Sequence, residues 1–204
     1  FDRVAKIAAS SGEDSVSKRF AQGARVIVAG SSWEPDDALL TAFMNQAPTD
    51  VKLILVPHEI GNDHIRQIEE QLNIPHFLYK NAPDDLENYR VMVVNTIGLL
   101  SSIYKYGQIA YIGGGFGKGI HNTLEAATYG IPVLWGPNYR KFKEARDLIE
   151  CGAGFVIADA SSLNRQLNAL LEDETLRRSS GDRAKQYVAG MCGATDQIMS
   201  DLFK

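Results

Sequence analysis

The chain has 204 residues, of which 45% are hydrophobic and 23% charged, and its formal net charge is −4. A chain of this length supports one domain with a sizeable core, and the composition is that of a globular protein rather than a disordered or fibrous one. The acidic balance argues against a nucleic-acid-binding protein, because such a protein needs a dense basic face.

The first 24 residues include a Ser-rich stretch, Ser10–Ser15, which predicts a surface segment or linker. We therefore divide the chain into an interdomain linker (1–24), a Rossmann-like domain (25–172) and a helical C-terminal segment (173–204). Because no predicted strand follows the helices of the last segment, we expect them to pack on the domain or to reach toward a further domain. The first residue is Phe1 rather than Met, so we expect a piece of a longer protein.

From residue 25 onward, short apolar runs rich in Val and Ile alternate with amphipathic segments of helical period. This alternation predicts an α/β fold, a doubly wound parallel sheet of the Rossmann type. The predicted strands are Arg25–Ala29, Val51–Val56, His76–Leu78, Val91–Val94, Ile109–Ile112, Pro132–Trp135 and Phe155–Ile157. The predicted helices are Pro35–Asn45, Asp63–Asn73, Gly98–Tyr106, Asn122–Tyr129, Phe142–Cys151, Ser162–Glu172, Leu176–Ala189 and Thr195–Phe203.

Neither the cysteines nor any apolar run indicates a metal site or a membrane span. Cys151 and Cys192 lie far apart, without a Cys-x-x-Cys spacing or grouped histidines, so we expect two free thiols. No run approaches the roughly 18 apolar residues that a membrane-spanning helix requires. We expect this fragment to be soluble, so that membrane contact arises only through the full-length protein.

The most informative segment is a glycine-rich loop that follows a predicted strand and precedes a predicted helix. It runs from Gly113 to Gly119 and contains five glycines within seven residues. Loop amides and a helix N-terminus favour an anion, so we predict a phosphate there. The loop is not a P-loop, since Ile112 and Gly119 occupy the positions where that motif needs Gly and Ser or Thr, and no Gly-x-Gly-x-x-Gly register fits.

Three polar residues at the end of this loop have alternative roles. Asn122 and Glu125 fit a capping box, with Asn122 as the N-cap. Glu125 could instead accept hydrogen bonds from the two hydroxyls of a ribose, which we favour because a capping Glu needs no cluster of glycines beside it. His121 is either an ordinary surface histidine or a contact for the bound anion.

The sequence resembles a known family, the bacterial 3-deoxy-D-manno-octulosonic acid (Kdo) transferases. The resemblance covers essentially the whole chain and is strongest in the glycine loop and the residues after it. The segments that carry it are Gly113–Ala127, Tyr129–Pro137, Asn138, Phe142, Lys143, Gly30–Glu34, Val56–Glu59, Asn95–Leu100 and Phe1–Val4.

The resemblance implies a GT-B glycosyltransferase, in which two Rossmann-like domains face a cleft, and it identifies this chain as the C-terminal, donor-binding half. It implies transfer of Kdo from CMP-Kdo to a lipid A precursor, with inversion, in lipopolysaccharide biosynthesis at the cytoplasmic face of the inner membrane. The acceptor and the catalytic carboxylate would lie in the N-terminal domain, so we expect no catalytic residue here and no activity of the fragment alone. We expect no metal and no cofactor, and no Asp-x-Asp motif is present.

Transferred position by position, the resemblance assigns phosphate and sugar to the glycine loop and the helix after it, and ribose to Glu125. Ser31, Ser32 and Trp33 would face the cleft. Trp33 could instead be an ordinary partly buried aromatic, and Ser31 and Ser32 could be simple helix caps. Many relatives carry an Arg after the proline of the second turn, where this chain has His58. Lys118 is a further candidate phosphate contact. The predicted CMP-Kdo-binding residues are Ser31, Ser32, Trp33, Pro57, His58, Glu59, Ile97, Gly98, Leu99, Gly113, Gly114, Gly115, Phe116, Gly119, His121, Asn122 and Glu125.

Two other functions fit the same pattern. A GT-B domain of another glycosyltransferase or of a 2-epimerase would bind a UDP- or GDP-sugar, and its base preference would distinguish it. A non-catalytic nucleotide-binding module would show no donor hydrolysis or transfer even as the full-length protein.

Overall fold

The Val- and Ile-rich runs form one seven-stranded parallel sheet, as predicted. The computed structural model describes residues 1–10 and 12–192, and its strand order is β3-β4-β2-β1-β5-β6-β7. The strands are β1 (Arg25–Ser32), β2 (Val51–Pro57), β3 (His76–Leu78), β4 (Val91–Val93), β5 (Ile109–Ile112), β6 (Val133–Trp135) and β7 (Gly154–Val156).

Helices cover both faces of this sheet. They are α1 (Asp2–Ser10), α2 (Ser15–Ala21), α3 (Glu34–Met44), α4 (Asn62–Gln71), α5 (Leu100–Ile103), α6 (Leu124–Ala127), α7 (Lys143–Glu150), α8 (Ala160–Glu172) and α9 (Glu174–Gly190). Three short 3₁₀ turns are Tyr79–Asn81, Leu86–Asn88 and Tyr104–Tyr106. In the part of the chain that the structure describes, none of the helices combines the length and apolarity needed to cross a bilayer.

The central strands are apolar on both faces because both faces are covered. Val26 and Val28 of β1 pack into one core layer, whereas Ile27 and Ala29 pack into the other. Successive side chains of a strand point to opposite faces, so one Val/Ile-rich run supplies two layers.

The strand order places a crevice at the carboxyl end of β1. The segment from β2 to β4 lies on one side of β1, and the segment from β5 to β7 lies on the other. The direction of the crossovers therefore reverses between β1 and β5. In open α/β sheets this switch point is where ligands bind.

Helices α1 and α2 occupy most of residues 1–24, and α2 packs against the domain that we bounded at residue 25. Phe20 of α2 is fully buried and packs edge to face against Phe77, with 5.5 Å between the ring centroids. The side chain of Asp14 caps α2 by accepting a hydrogen bond from the Ser17 amide at 2.7 Å. Residues 15–21 are therefore part of the domain's core, whereas a role of residues 1–24 in joining two domains stays a prediction.

At the other end, the predicted helix Leu176–Ala189 is present as α9. Its Gly181 lies so close to Gly130 that an added Cβ atom would be 2.2 Å from the Gly130 carbonyl oxygen. This contact fits the prediction that the C-terminal segment packs on the domain. The predicted helix Thr195–Phe203 lies outside the described residues.

Candidate functional site

The turns that follow β1 and β5 are in direct backbone contact. The Gly113 amide donates a hydrogen bond to the Gly30 carbonyl at 2.9 Å, which extends the strand pairing. A Cβ atom at Gly113 would lie 2.2 Å from the Ser31 carbonyl oxygen, so this position requires glycine. Ser31 has a φ of 53°, in the left-handed region, where the pairing of β1 with β2 becomes irregular. The chain therefore turns sharply out of β1 and over the start of the glycine loop.

A buried carboxylate, that of Asp36, joins these two turns. One oxygen accepts hydrogen bonds from the amides of Trp33 (3.0 Å) and Gly114 (2.9 Å). The other accepts a hydrogen bond from the Tyr111 hydroxyl at 2.6 Å. Asp36 is 1% exposed, and burial raises the pKa of Tyr111, which keeps the phenol protonated as a donor. These three bonds fix the end of β1, the start of α3 and the glycine loop relative to one another.

Sequence analysis did not identify Asp36. The available signal was an acidic residue at the third position of the helix after β1, where it closes a capping box with Trp33. Such a box is common at ordinary helix starts, so the bonds to the glycine loop could not be inferred from it.

Trp33, His58 and His121 form an aromatic cluster at the mouth of the crevice. Trp33 and His121 are nearly coplanar, with 12° between their rings, and the Trp33 indole Nε1 donates to His121 Nε2 at 3.0 Å. The His58 ring stacks on both, with centroid distances of 4.5 Å to each. The structure thus brings together three residues that come from the turns after β1, β2 and β5.

The hydrogen bond from Trp33 fixes the protonation state of His121. An indole nitrogen can only donate, so His121 Nε2 must be unprotonated and the ring's hydrogen must be on Nδ1. Burial lowers the pKa of His121, the nearby His58 lowers it further, and Asp36 opposes both effects. His121 is therefore neutral at pH 7 and presents Nδ1–H as a donor.

A cleft of about 430 Å³ opens beside this cluster. Its volume lies in the range of small-molecule sites, and its walls combine aromatic rings, backbone and a few polar groups. The lining residues are Trp33, Pro35, Asp36, Gly114, Phe116, Gly117, Lys118, Gly119 and His121.

The glycine loop uses several of its amides internally, which removes some of the donors expected for the predicted phosphate. Gly113 donates to Gly30, Gly114 donates to Asp36, and both Gly117 and Gly119 donate to the Gly114 carbonyl, at 3.0 and 3.2 Å. The predicted phosphate contacts through the amides of Gly113 and Gly114 are therefore not available. The glycines serve close packing instead, since a Cβ atom at Gly115 would lie 2.5 Å from the Gly136 amide nitrogen.

The helix after the loop begins two residues later than predicted. Its N-cap is Thr123, and Asn122 instead accepts a hydrogen bond from the Leu124 amide at 3.0 Å. The predicted capping box is wrong, because Asn122 contacts Glu125 through its side-chain nitrogen at 3.1 Å rather than through its backbone amide. With only four residues, α6 has a smaller dipole than the predicted helix.

The Glu125 carboxylate lies beside α5. One oxygen accepts from Asn122, and the other accepts a hydrogen bond from the Ser101 hydroxyl at 2.8 Å. Val4 and Ala8 of α1 line a small cavity next to it, so α1 covers part of the surroundings of this carboxylate.

The remaining predicted residues lie along the same edge of the sheet. Pro57 ends β2, and the carbonyl of Glu59 contacts the ring of His64 at 2.9 Å. Ile97 is 86% exposed, and Gly98, with a φ of 88°, leads into α5 through Leu99. Residues 1–10 and 12–192 contain no group of three or more His, Cys, Asp or Glu side chains placed to hold a metal ion.

Comparison with known proteins identifies relatives of the chain, although no protein-family model matches it. The chain is 34% identical over 151 residues to the 3-deoxy-D-manno-octulosonic acid transferase of Aquifex aeolicus, covering 71% of this chain and 41% of the relative. It is 27% identical to the transferase of the same name from Haemophilus influenzae, covering 94% of this chain and 46% of the relative. The chain thus spans less than half the length of these relatives.

Solved structures show the same fold. The C-terminal CMP-Kdo binding domain of WaaA from Acinetobacter baumannii matches with a TM-score of 0.74 at 21% identity, covering 92% of this chain and 98% of that one. The C-terminal domain of the glycosyl transferase LpcC from Francisella tularensis matches with a TM-score of 0.64 at 12% identity, covering 93% and 98%. The predicted α/β fold of a GT-B C-terminal domain is confirmed.

The first prediction concerns the buried carboxylate. We expect Asp36→Ala to lower the free energy of unfolding by about 3 kcal/mol or more, because it leaves three donors without an acceptor. Urea denaturation measures the change. The exposed neighbour Glu34 provides the control, since Glu34→Ala should change stability by less than about 1 kcal/mol. Equal stabilities of the two variants would contradict the role given to Asp36.

A second prediction concerns pH. Because the pKa of His121 is lowered on folding, the unfolded chain binds its proton more readily. The stability from neutral His121 is therefore complete above the unfolded value of about 6.5 and is lost as the pH falls below it. We expect tryptophan fluorescence to change with a midpoint below that value, as protonation breaks the bond from Trp33.

Two variants identify the groups responsible for this transition. It should disappear in Trp33→Phe and in His121→Gln. A transition that persists in His121→Gln would show that another group causes it and would contradict the protonation state assigned to His121.

Proposed function

Because this chain is a relative of the bacterial Kdo transferases over most of its length, we propose that it is the C-terminal, donor-binding half of such an enzyme and binds CMP-Kdo. The observation that carries the proposal is the coincidence of that relationship with a cleft at the β1/β5 switch point. The cleft is lined by Trp33, Gly114 and His121, residues that the sequence assigned to the donor. The activity of the whole enzyme would also require the part of the protein that precedes this chain.

The donor's phosphate would lie against His121 and Lys118. Both side chains line the cleft, one as a neutral N–H donor and the other as a cation. Among the described residues, none accepts a hydrogen bond from the amide of the exposed Asn122, so this N–H group can add to the site. It would take the place of a loop amide that is already engaged.

The ribose would bind to Glu125. A carboxylate offers about four acceptor positions, and the bonds from Ser101 and Asn122 use two of them. The remaining lone pairs can accept both ribose hydroxyls. The bonds from Ser101 and Asn122 would also hold the carboxylate in place before the nucleotide arrives, which reduces the entropy lost on binding.

The chemistry that these residues would support is departure of CMP. When the bond between the anomeric carbon of Kdo and the phosphate oxygen breaks, negative charge grows on the phosphate. Donors fixed in advance, such as His121 Nδ1–H and the Lys118 ammonium group, stabilise that charge without reorganising. This arrangement would work without a metal or another cofactor.

Other steps would depend on the rest of the protein. We propose that the N-terminal half supplies the catalytic carboxylate and the site for the lipid A precursor, that transfer proceeds with inversion, and that this chain alone is inactive. The whole enzyme would act at the cytoplasmic face of the inner membrane and contact the membrane through the full-length protein.

A UDP-sugar is the second candidate ligand, because the same fold occurs in a protein bound to UDP. HepE of Anabaena in complex with UDP matches with a TM-score of 0.66 at 17% identity, covering 94% of this chain and 53% of that one. At this identity the match supports the fold, and the nucleotide base distinguishes the two candidates.

Calorimetric titration of the chain with CMP, UDP and GMP, without and then with magnesium, tests the proposal. We expect CMP to bind more tightly than the other two, with an affinity that magnesium does not change. Preference for UDP or GMP would indicate that the chain belongs to another glycosyltransferase or to an epimerase. Absence of binding by all three would contradict the donor site proposed for this chain.

A further inference from the structure

Tyr104 lies under the end of β1, on the side of the sheet that carries α5 and α6. It begins the 3₁₀ turn after α5 and is 1% exposed. A Cβ atom at Gly30 would lie 2.0 Å from the Tyr104 hydroxyl oxygen. Any side chain at position 30 would therefore displace this hydroxyl, so Gly30 makes room for it at the switch point of the sheet.

The Tyr104 hydroxyl differs from two other phenols at this end of the sheet. The hydroxyl of Tyr111 donates to Asp36, and that of Tyr129 donates to the Ser101 carbonyl at 2.6 Å. Within residues 1–10 and 12–192, we find no acceptor for the hydroxyl of Tyr104. This hydroxyl is also not among the fully enclosed polar atoms that lack a partner. It is therefore available to a ligand, whereas a residue that serves packing alone could equally be Phe.

The surroundings of this hydroxyl connect it to the proposed ribose site. Ser101 of α5, which holds Glu125, precedes Tyr104 by three residues, about one helical turn. Burial raises the pKa of Tyr104, and the negative charge of Glu125 raises it further. The hydroxyl therefore remains a protonated donor beneath the end of β1.

We propose that Tyr104 is a nucleotide-binding residue whose hydroxyl donates a hydrogen bond to an oxygen of the ribose–phosphate part of the donor. This inference rests on the proposed function and adds to it a residue from the opposite side of the crevice to Trp33. Tyr104 takes no part in bond making or breaking; it binds and positions the nucleotide.

The test is Tyr104→Phe, which removes one oxygen atom and keeps the ring. We expect the Kd for CMP to rise about tenfold, the effect of losing one hydrogen bond to a ligand. The melting temperature of the ligand-free variant should equal or exceed that of the wild type, because no hydrogen bond of the folded chain is lost.

Tyr187→Phe is the matched control, because its hydroxyl donates to Asp147 at 2.7 Å and neither residue lines the cleft. This variant should melt at a lower temperature and bind CMP with an unchanged Kd. A lower melting temperature with an unchanged Kd in Tyr104→Phe would show a structural role and overturn the inference.

Measuring the wild type first separates the two proposals. If the wild type binds CMP and Tyr104→Phe binds it equally well, the role of Tyr104 is refuted and the proposed function stands. If the wild type binds no CMP, both fail. Titration with cytidine locates the contact, since a ribose contact weakens cytidine and CMP binding alike, whereas a phosphate contact weakens only CMP binding.

Discussion

The buried carboxylate of Asp36 is the interaction on which the geometry of the site depends. A charged group in a protein interior is costly unless hydrogen bonds compensate it, and here two amides and one phenol do so. These donors come from β5, the glycine loop and the turn before α3. The same bonds that stabilise the charge therefore hold the two turns together, and Gly113 lies so close to Ser31 that no side chain fits between them.

Two different groups of side chains lie on the two sides of this joint. On the α3 side, Trp33, His58 and His121 form an aromatic surface with a neutral N–H donor. On the α5 and α6 side, Glu125 offers acceptors and Tyr104 a protonated hydroxyl. A nucleotide needs partners of all these kinds, for its phosphate and for its sugar hydroxyls. The proposed donor site follows from this distribution more than from the glycine loop, several of whose amides are engaged within the protein.

The sheet was predictable because the signal for each strand is local. The buried run Ile109–Ile112 is confirmed with identical ends, since a strand covered on both faces is continuously apolar. The edge strand His76–Leu78 also has the predicted ends. The predicted helix at Asn122 was too long, because the side chain of Asn122 bonds the amide two residues ahead and delays the helix. Phe20 gave no periodic signal within a polar segment, so its burial was not foreseen.

The site was predictable only in part, for a related reason. The resemblance placed Trp33, His58 and His121 at the donor site, and the structure brings their rings together. Asp36 was not predicted, because its partners Tyr111 and Gly114 are 75 and 78 residues away in the sequence. These bonds join turns that are distant in the sequence and become neighbours only when the sheet folds. Neither periodicity nor a local motif can predict them.

The most direct test of the account uses the two tryptophans of the chain. Trp33 donates its indole N–H at the edge of the cleft, whereas Trp135 is fully buried at the end of β6. In ¹⁵N-edited NMR spectra recorded during titration with CMP, the account predicts that the indole resonance of Trp33 shifts with the bound fraction and that of Trp135 stays in place. Saturable CMP binding that leaves the Trp33 resonance unmoved would contradict a donor site at the junction of β1 and β5.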